Sequence, residues 1–542
     1  MSTVLTPDIS ARSAESSERV ARRAGWRWLV PVALLAIYAA QCGRFIWTQS
    51  LTFDEPFHIS AGLDAWRLHR FANWNDHPPL ARMLCTLPVF GHEWQVQISP
   101  GLPLSAVQPD VESLAHRSRS VNMALGIVLG ILLWFAARRY FSEGAANFAL
   151  APFAFSPELI ANYSMVTTDG AGALMIFAAA LAVVRWRSDL SERKTISLGL
   201  IFGALLLSKF YAPPLALLGL ALLLVPEEPG AAFRPREWRW RRVGIVSALA
   251  LIVVWGGYFF RIAEVDTRTS TLFLPFGDFF NGLRNVWWHN AGGHNSYFLG
   301  EISMHAGGWL YFPVTAVLKW PPVTLLLAAS ALFLLARGRL KVSREVRWLL
   351  IFPAVFAVLS LFSNIHIGVR HLLPIYPFLL LLAGALWEAA RGRRGLIVLL
   401  VAAAAVNAGD ALRYAPNYLS YFTPFVPEAS AYKYLSDSNL DCGQGLLAVR
   451  QYQQEHPQET IHLAYVGNVV PAIYGVHAPP LAENARTTGT VIISSSNLAG
   501  EYLRNPEAYH WLLRFPRKTI LDHVLFVFEV PPGAEAATTS KH

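Results

Sequence analysis

Two short polar segments carry residue types suited to acid–base and phosphate chemistry. The first is Thr52-Phe-Asp-Glu-Pro-Phe-His58 and the second is Asn75-Asp-His-Pro-Pro-Leu80. The first begins where a long apolar run ends, and it sets two acids side by side, Asp54 and Glu55. The second joins Asp76 and His77 to a proline pair. Carboxylates gathered at the end of an apolar span cost free energy unless they are solvated, paired or bound to a cation, so they point to function. The competing reading is a solvated loop whose acids cap short helices.

Three more segments supply complementary groups. Asn162-Tyr-Ser-Met-Val-Thr-Thr-Asp169 is a short turn whose acid opens the next apolar run, and Thr168 or Asp169 could serve there as a helix N-cap. Trp287-Trp-His-Asn-Ala-Gly-Gly-His-Asn-Ser-Tyr-Phe-Leu-Gly-Glu301 combines glycines, which allow close backbone approach, with aromatics that stack on sugars or settle at a membrane interface. We read His289, His294, Asn295, Tyr297 and Glu301 in it as sugar- or acceptor-binding. Asn364-Ile-His-Ile-Gly-Val-Arg-His-Leu-Leu-Pro374 places Arg370 and His371 at a helix start.

These types divide the work. A carboxylate can take a proton from an attacking hydroxyl. Arg370, Lys209 or Lys319 can neutralise a phosphate, arginine through a two-pronged fork and lysine as a point charge, with His77 and His371 as further phosphate-facing groups. Lys209 and Lys319 could instead extend to the interface. Asp76 beside an imidazole could hold a divalent cation (Mg, Mn or Zn), although one acid and one histidine make a small ligand set. His289 and His294 are read as metal ligands or as hydrogen-bonded interfacial histidines.

The elements that must position these residues are membrane helices. The chain has 542 residues, 54% hydrophobic and 15% charged, with 18 Trp, and a mean hydropathy of +0.35. Soluble domains carry nearer a quarter charged residues. The net charge of +9 does not point to nucleic acid, because the basic residues cluster in short segments between apolar runs. The three cysteines lie far apart and show no metal or redox spacing. Spans are expected near 27–47, 118–137, 145–161, 170–186, 196–208, 210–226, 243–261, 313–336, 347–363, 371–390 and 394–411, eleven in all. Alternate loops hold Arg138-Arg139; Arg185, Arg187, Arg193 and Lys194; Arg234 to Arg242; Arg337 to Arg347; and Arg391, Arg393 and Arg394. These basic loops belong on the cytoplasmic side. That puts the outer loops 48–117 and 262–312, with the rest of the polar set, outside a plasma (inner) membrane. Residues 1–25 read as a disordered cytoplasmic arm, 26–411 as the transmembrane domain, 412–532 as a small outer α/β domain with strand-like runs, and 533–542 as a disordered tail.

The Phe-Asp-Glu-Pro and Asp-His-Pro-Pro-Leu loops and the Thr-Thr-Asp turn resemble the lipid-carrier-dependent glycosyltransferases of the protein O-mannosyltransferase and aminoarabinose transferase superfamily. So do Gly293-His-Asn-Ser-Tyr-Phe-Leu-Gly-Glu301 and Arg370-His-Leu-Leu-Pro-Ile-Tyr-Pro377. The resemblance covers roughly residues 25–415, and the order of the motifs on alternate sides makes the set specific. It implies the C-type glycosyltransferase fold, a sugar donor on a polyprenyl phosphate among membrane lipids, and inverting transfer to a protein, glycan or lipid acceptor. By position it makes Asp54 the base with Glu55 beside it and Asp169 a second acid, and it sets Asp76 and His77 at the cation and phosphate. His77 stands where relatives carry lysine. Downstream, Tyr434-Leu-Ser-Asp-Ser-Asn-Leu-Asp-Cys-Gly-Gln444 resembles a segment of bacterial relatives in which Trp is expected at Cys442. The rival reading is a transporter or flippase of a lipid-linked or sugar substrate. Transporters place ionisable groups deep in broken spans, whereas the acids here gather in the outer loops.

Overall fold

The computed structural model describes residues 9–71, 75–91, 95–97, 104–108, 110–226, 236–266 and 270–533. In chain order its helices are α1 (Ile9–Thr48), α2 (Glu55–Leu68), α3 (Leu80–Thr86), α4 (Val111–Tyr140), α5 (Glu143–Ala154), α6 (Pro157–Tyr163), α7 (Asp169–Ser188), α8 (Glu192–Leu206) and α9 (Ala212–Leu224). There follow α10 (Arg236–Gly257), α11 (Gly277–Gly292), α12 (Tyr311–Lys319), α13 (Pro322–Ala336), α14 (Arg344–Ser360), α15 (Tyr376–Ala389), α16 (Arg394–Leu412), α17 (Leu446–Glu455) and α18 (Ser495–Ala499). Helix starts follow local chemistry. Asp110 caps α4 by accepting from the N–H groups of Glu112 and Ser113, and Ser142 and Ser156 cap α5 and α6.

Among the described residues six helices are long and apolar enough to cross a membrane: Arg27–Thr48, Val111–Tyr140, Asp169–Ser188, Glu237–Gly257, Val369–Ala389 and Arg394–Leu412. The pair Gly308–Lys319 and Pro322–Ala336, bent by 117°, brings the number to seven. The expected eleven spans are therefore not all met by length and composition. The run 145–161 is two short helices, α5 and α6, because Ser156-Pro157 caps a new start. The run 313–336 breaks at Pro321-Pro322, where proline cannot continue the backbone ladder. The runs at 196–208, 210–226 and 347–363 form helices of 15, 13 and 17 residues. Helix α1 already runs from Ile9, inside the segment expected to be a disordered arm. Residues 1–8, Arg234 and 534–542 of the expected arm, inner loop and tail lie outside the described residues.

The enclosed helices are the ones that carry polar residues at their ends. Within the apolar windows of Asp169–Ser188 and Val369–Ala389, 72% of residues are buried, against 17% for Glu237–Gly257 and 11% for Arg394–Leu412. On α16 Val398, Leu399, Val401 and Val406 are exposed, an apolar surface suited to lipid. Helices α8 and α10 pack closely through small residues: a Cβ on Gly203 would come within 2.4 Å of Val253.

Outside the bundle, β1 (Gln95–Gln97) pairs with β2 (Ala106–Gln108), β3 (Ile262–Asp266) with β4 (Thr271–Pro275), and β5 (Ser296–Phe298) with β6 (Glu301–Ser303). Beyond α16, β7 (Ile461–Ala464), β8 (Gly489–Ser494), β9 (Arg517–Leu521) and β10 (Leu525–Val530) form a mixed sheet in the order β7-β8-β10-β9, with β7 and β8 parallel. Its core residues, among them Ile492, Leu525 and Phe526, join those of the helices, such as Phe45, Phe153 and Leu373, in one continuous apolar cluster. Sheet and bundle thus share one core.

Candidate active site

Asp54 and Glu55 are neighbours with different environments. Asp54 stands at the N-terminus of α2 with its side chain 38% exposed, and its Oδ2 accepts a 2.8 Å hydrogen bond from Nη1 of Arg370. Burial pushes the Asp54 carboxyl up, but the Arg370 guanidinium beside it brings it below the usual aspartate range, so it is ionised at neutral pH. Glu55 is fully buried. Arg119 donates to it through Nε (2.8 Å) and Nη2 (2.6 Å), Thr52 through its N–H (2.7 Å) and hydroxyl (3.0 Å), and Val166 through its N–H (2.8 Å). Arg119 also donates to the carbonyls of Gln49 and Ser50. Every acceptor direction of Glu55 is used to tie the 49–55 loop to α4 and to the 164–168 turn. None of these partners is Arg370, which pairs with Asp54 instead.

The second loop forms a cluster of its own. Arg82 on α3 donates from Nη2 to Asp76 (2.8 Å) and from Nε to Nδ1 of His58 (3.0 Å). Nε2 of His77 lies 3.6 Å from the other oxygen of Asp76, and the His58 and His77 rings are 5.4 Å apart. Burial, then the cations Lys209 and Arg82, hold His77 well below the usual imidazole range. Burial and Arg82 likewise bring His58 down to about 4. Both rings are neutral at pH 7. In this setting His77 is a neutral hydrogen-bonding group.

Lys209, between α8 and α9, donates at 2.6 Å to Asp169 at the head of α7, with side chains 7% and 3% exposed. Asp169 is thus an ion-pair partner, and Thr168, its possible capping companion, makes no side-chain cap bond. Arg370 and His371 sit among Asp169, Lys209 and His294. The Nε of Arg370 is buried with no hydrogen-bond partner among the described residues. Its Nη1 is spent on Asp54, and the guanidinium as a whole is only 12% exposed. His289 and His294 are hydrogen-bonded ring to ring at 3.0 Å, and His294, brought down to about 4 by burial and by its neighbour His289, lies in the field of Arg370 and Asp54.

Among the remaining candidates, Asn295 donates to the carbonyl of Glu501, Tyr297 to that of Lys433, and exposed Glu301 accepts from Ser303. The β5–β6 hairpin thereby docks on the chain beyond α16, next to Glu501, which lies in the field of Asp437. Lys319 is buried and donates to the carbonyls of Leu419 (2.9 Å), Tyr421 and Asn439. It pins the C-terminal chain to α12 and is not placed for a phosphate.

At Asp76, read from the sequence as a cation ligand, one oxygen accepts from Arg82, which also donates to His58, and His77 lies 3.6 Å from the other oxygen. No group of three His, Cys, Asp or Glu side chains arranged for a metal occurs among the described residues. All three cysteines are free and buried.

Two arginines central to this geometry carry no motif. Arg119 lies in the polar stretch His116-Arg-Ser-Arg-Ser120 ahead of the apolar part of α4, where an arginine reads as an ordinary flanking charge. Arg82 sits six residues after Asp76, a relation hidden by the Pro78-Pro79 turn. Asp437, pushed up to about 6 by burial, also lies in the field of Arg370 and Asp54.

Residues 114–257 match the family model described as dolichyl-phosphate-mannose-protein mannosyltransferase. No curated protein matches the chain in sequence. The whole fold is similar to the apo crystal structure of ArnT from Cupriavidus metallidurans, with a TM-score of 0.51 and 13% identity over 93% of this chain and 98% of that one. The same protein bound to undecaprenyl phosphate aligns with a TM-score of 0.49 and 14% identity over 94% and 99%. The Archaeoglobus fulgidus oligosaccharyltransferase in complex with Zn and sulfate aligns with 0.45 and 14% over 86% and 68%.

Proposed function

From the premise that the chain is a membrane glycosyltransferase of the C-type fold, related to the lipid-phosphate-dependent mannosyltransferases, we propose that it moves a sugar from a polyprenyl-phosphate donor to an acceptor hydroxyl or amine at the outer membrane face. The observation that carries the reading is the half-exposed Asp54–Arg370 pair. An ionised carboxylate and a guanidinium meet there, near Lys209 and His77, and the alternation of basic and other loops supports a common side for the four segments.

In the proposed reaction Arg370, Lys209 and His77 hold the donor phosphate, and His371 lies next to them. The acceptor attacks the anomeric carbon from the side opposite the phosphate. The new bond forms as the carbon–oxygen bond to the phosphate breaks, and Asp54 takes the acceptor's proton. The electron pair leaves on the polyprenyl phosphate, whose charge Arg370 and Lys209 stabilise. Inversion follows from a single in-line displacement. Donor and base share Arg370: a phosphate that takes its fork releases Asp54, so the base is freed when the donor arrives. Glu55 acts through the loop it fixes, and Asp169 holds Lys209. His289 and His294 face the sugar or acceptor side.

The test pairs turnover with sidedness. Purified protein given a lipid-linked sugar should lose at least about 10²-fold in turnover on Asp54→Asn, the scale of a general base. Cysteine labels applied from outside should reach positions 60, 290 and 450 but not 190. Label at 190 from outside, or parent turnover in Asp54→Asn, would overturn the assignment.

A further inference from the structure

The 434–444 segment has no part in the reaction above, yet it makes the closest junction between the sheet unit and the catalytic pair. The carbonyl of Cys442 accepts from the N–H of Phe53 (2.8 Å), and that of Gln444 accepts from the N–H of Ser50 (2.9 Å). The Ser50 hydroxyl donates to the carbonyl of Gly443 (3.0 Å). On the other side, Oδ1 of Asn439 accepts from the N–H of Val369 (2.9 Å), and the Ser438 hydroxyl donates to the carbonyl of Ile367. These bonds grip both approaches to the pair: Ser50 and Phe53 lead into Asp54, and Ile367 and Val369 lead into Arg370.

Asn439 is 1% exposed and works on both edges, since its Nδ2 donates to the Tyr311 hydroxyl (3.0 Å). The close approach is written into the chain at Gly368, whose φ is +139° and where a Cβ would come 2.3 Å from Oγ of Ser438. Lys319 fixes the same turn from below through the carbonyl of Asn439.

We infer that the 437–444 turn braces the catalytic pair, with Asn439 as a positioning residue that sets Arg370 for the donor phosphate. This deepens the proposed function and rests on its reading of Arg370. A two-pronged contact depends on orientation, so a small shift of Val369 is felt at the phosphate even though Asn439 never touches it. Cohesion alone would instead make Asn439 matter equally with or without Arg370.

The experiment measures undecaprenyl phosphate binding to the full purified chain for the parent, Asn439→Ala, Arg370→Ala and the double variant. Asn439→Ala should weaken binding about tenfold, the size expected when a buried N–H loses its acceptor. The double variant should bind no worse than Arg370→Ala alone. Ser438→Ala, a milder change, should show a smaller loss that also vanishes without Arg370; it carries the test if Asn439→Ala does not fold. Parent affinity in folded Asn439→Ala, or the same fold loss in both backgrounds, overturns the brace alone. Parent affinity in Arg370→Ala overturns the phosphate reading and the brace with it.

Discussion

Glu55→Gln keeps the shape of Glu55 and removes its charge, and the geometry sets the size of the effect. Oε1 accepts from Arg119 Nε and Val166 N–H; Oε2 accepts from Arg119 Nη2 and from both the N–H and hydroxyl of Thr52. An amide has one accepting end. Whichever way it turns, at least two donors meet an NH₂, and Arg119, with no side-chain exposure, is left as a buried cation without its counter-charge. Breaking such a pair from one side costs about 3–5 kcal/mol. The variant should therefore melt several degrees below the parent in detergent and give less monodisperse protein, whereas Asp54→Asn, whose carboxylate is 38% exposed and whose partner Arg370 still faces Asp169, should melt closer to the parent. Combining Glu55→Gln with Arg119→Met should be milder than Glu55→Gln alone, because no orphan charge remains. The pH dependence has a fixed sign. Burial pushes the Glu55 carboxyl up and Arg119 brings it below the usual glutamate range, so its contribution is present above the unfolded value and is lost as pH falls through the folded one. Parent-like melting of Glu55→Gln at neutral pH would refute the lock and return Glu55 to the reacting centre.

Asp54→Asn should also bind undecaprenyl phosphate a few-fold more tightly while losing turnover, since the carboxylate that competes for Arg370 is gone; equilibrium binding beside single-turnover rates checks this. Arg370→Lys keeps the charge and loses the fork, so donor affinity should fall about tenfold, read by the same binding assay; parent affinity would reduce the contact to charge neutralisation. The turnover–pH profile should show no loss attributable to His77 near 6.5, because that ring is already neutral there, and it should fall only at acid pH, as Asp54 gains its proton. A His77→Gln variant with an unchanged profile shape would agree, and one that removed a limb near 6.5 would not.

The sequence made the bundle legible wherever apolar runs were long and flanked by arginine, as for α1, α4, α7 and α16. It was less informative where proline or serine breaks a run, at Ser156-Pro157 and Pro321-Pro322, because hydropathy averages across a break. The motifs led to Asp54, Asp76, His77, Asp169 and Arg370, which the fold does gather. They did not show which acid of Asp54-Glu55 turns inward, since that depends on Arg119, a partner 64 residues away. The 293–301 motif reads as a sugar site, and spacing did not show that Asn295 and Tyr297 tie its hairpin to Glu501 and Lys433 far downstream. Such pairings belong to tertiary contacts that no local spacing encodes.

The most direct measurement follows one radiolabelled polyprenyl-phosphate sugar added to purified protein with an envelope extract as acceptor source. The account predicts free polyprenyl phosphate, one sugar transferred per phosphate released, inverted configuration at the anomeric carbon, and loss of all three in Asp54→Asn. Donor lipid recovered intact, or moved across a vesicle bilayer without release of the phosphate, would contradict it.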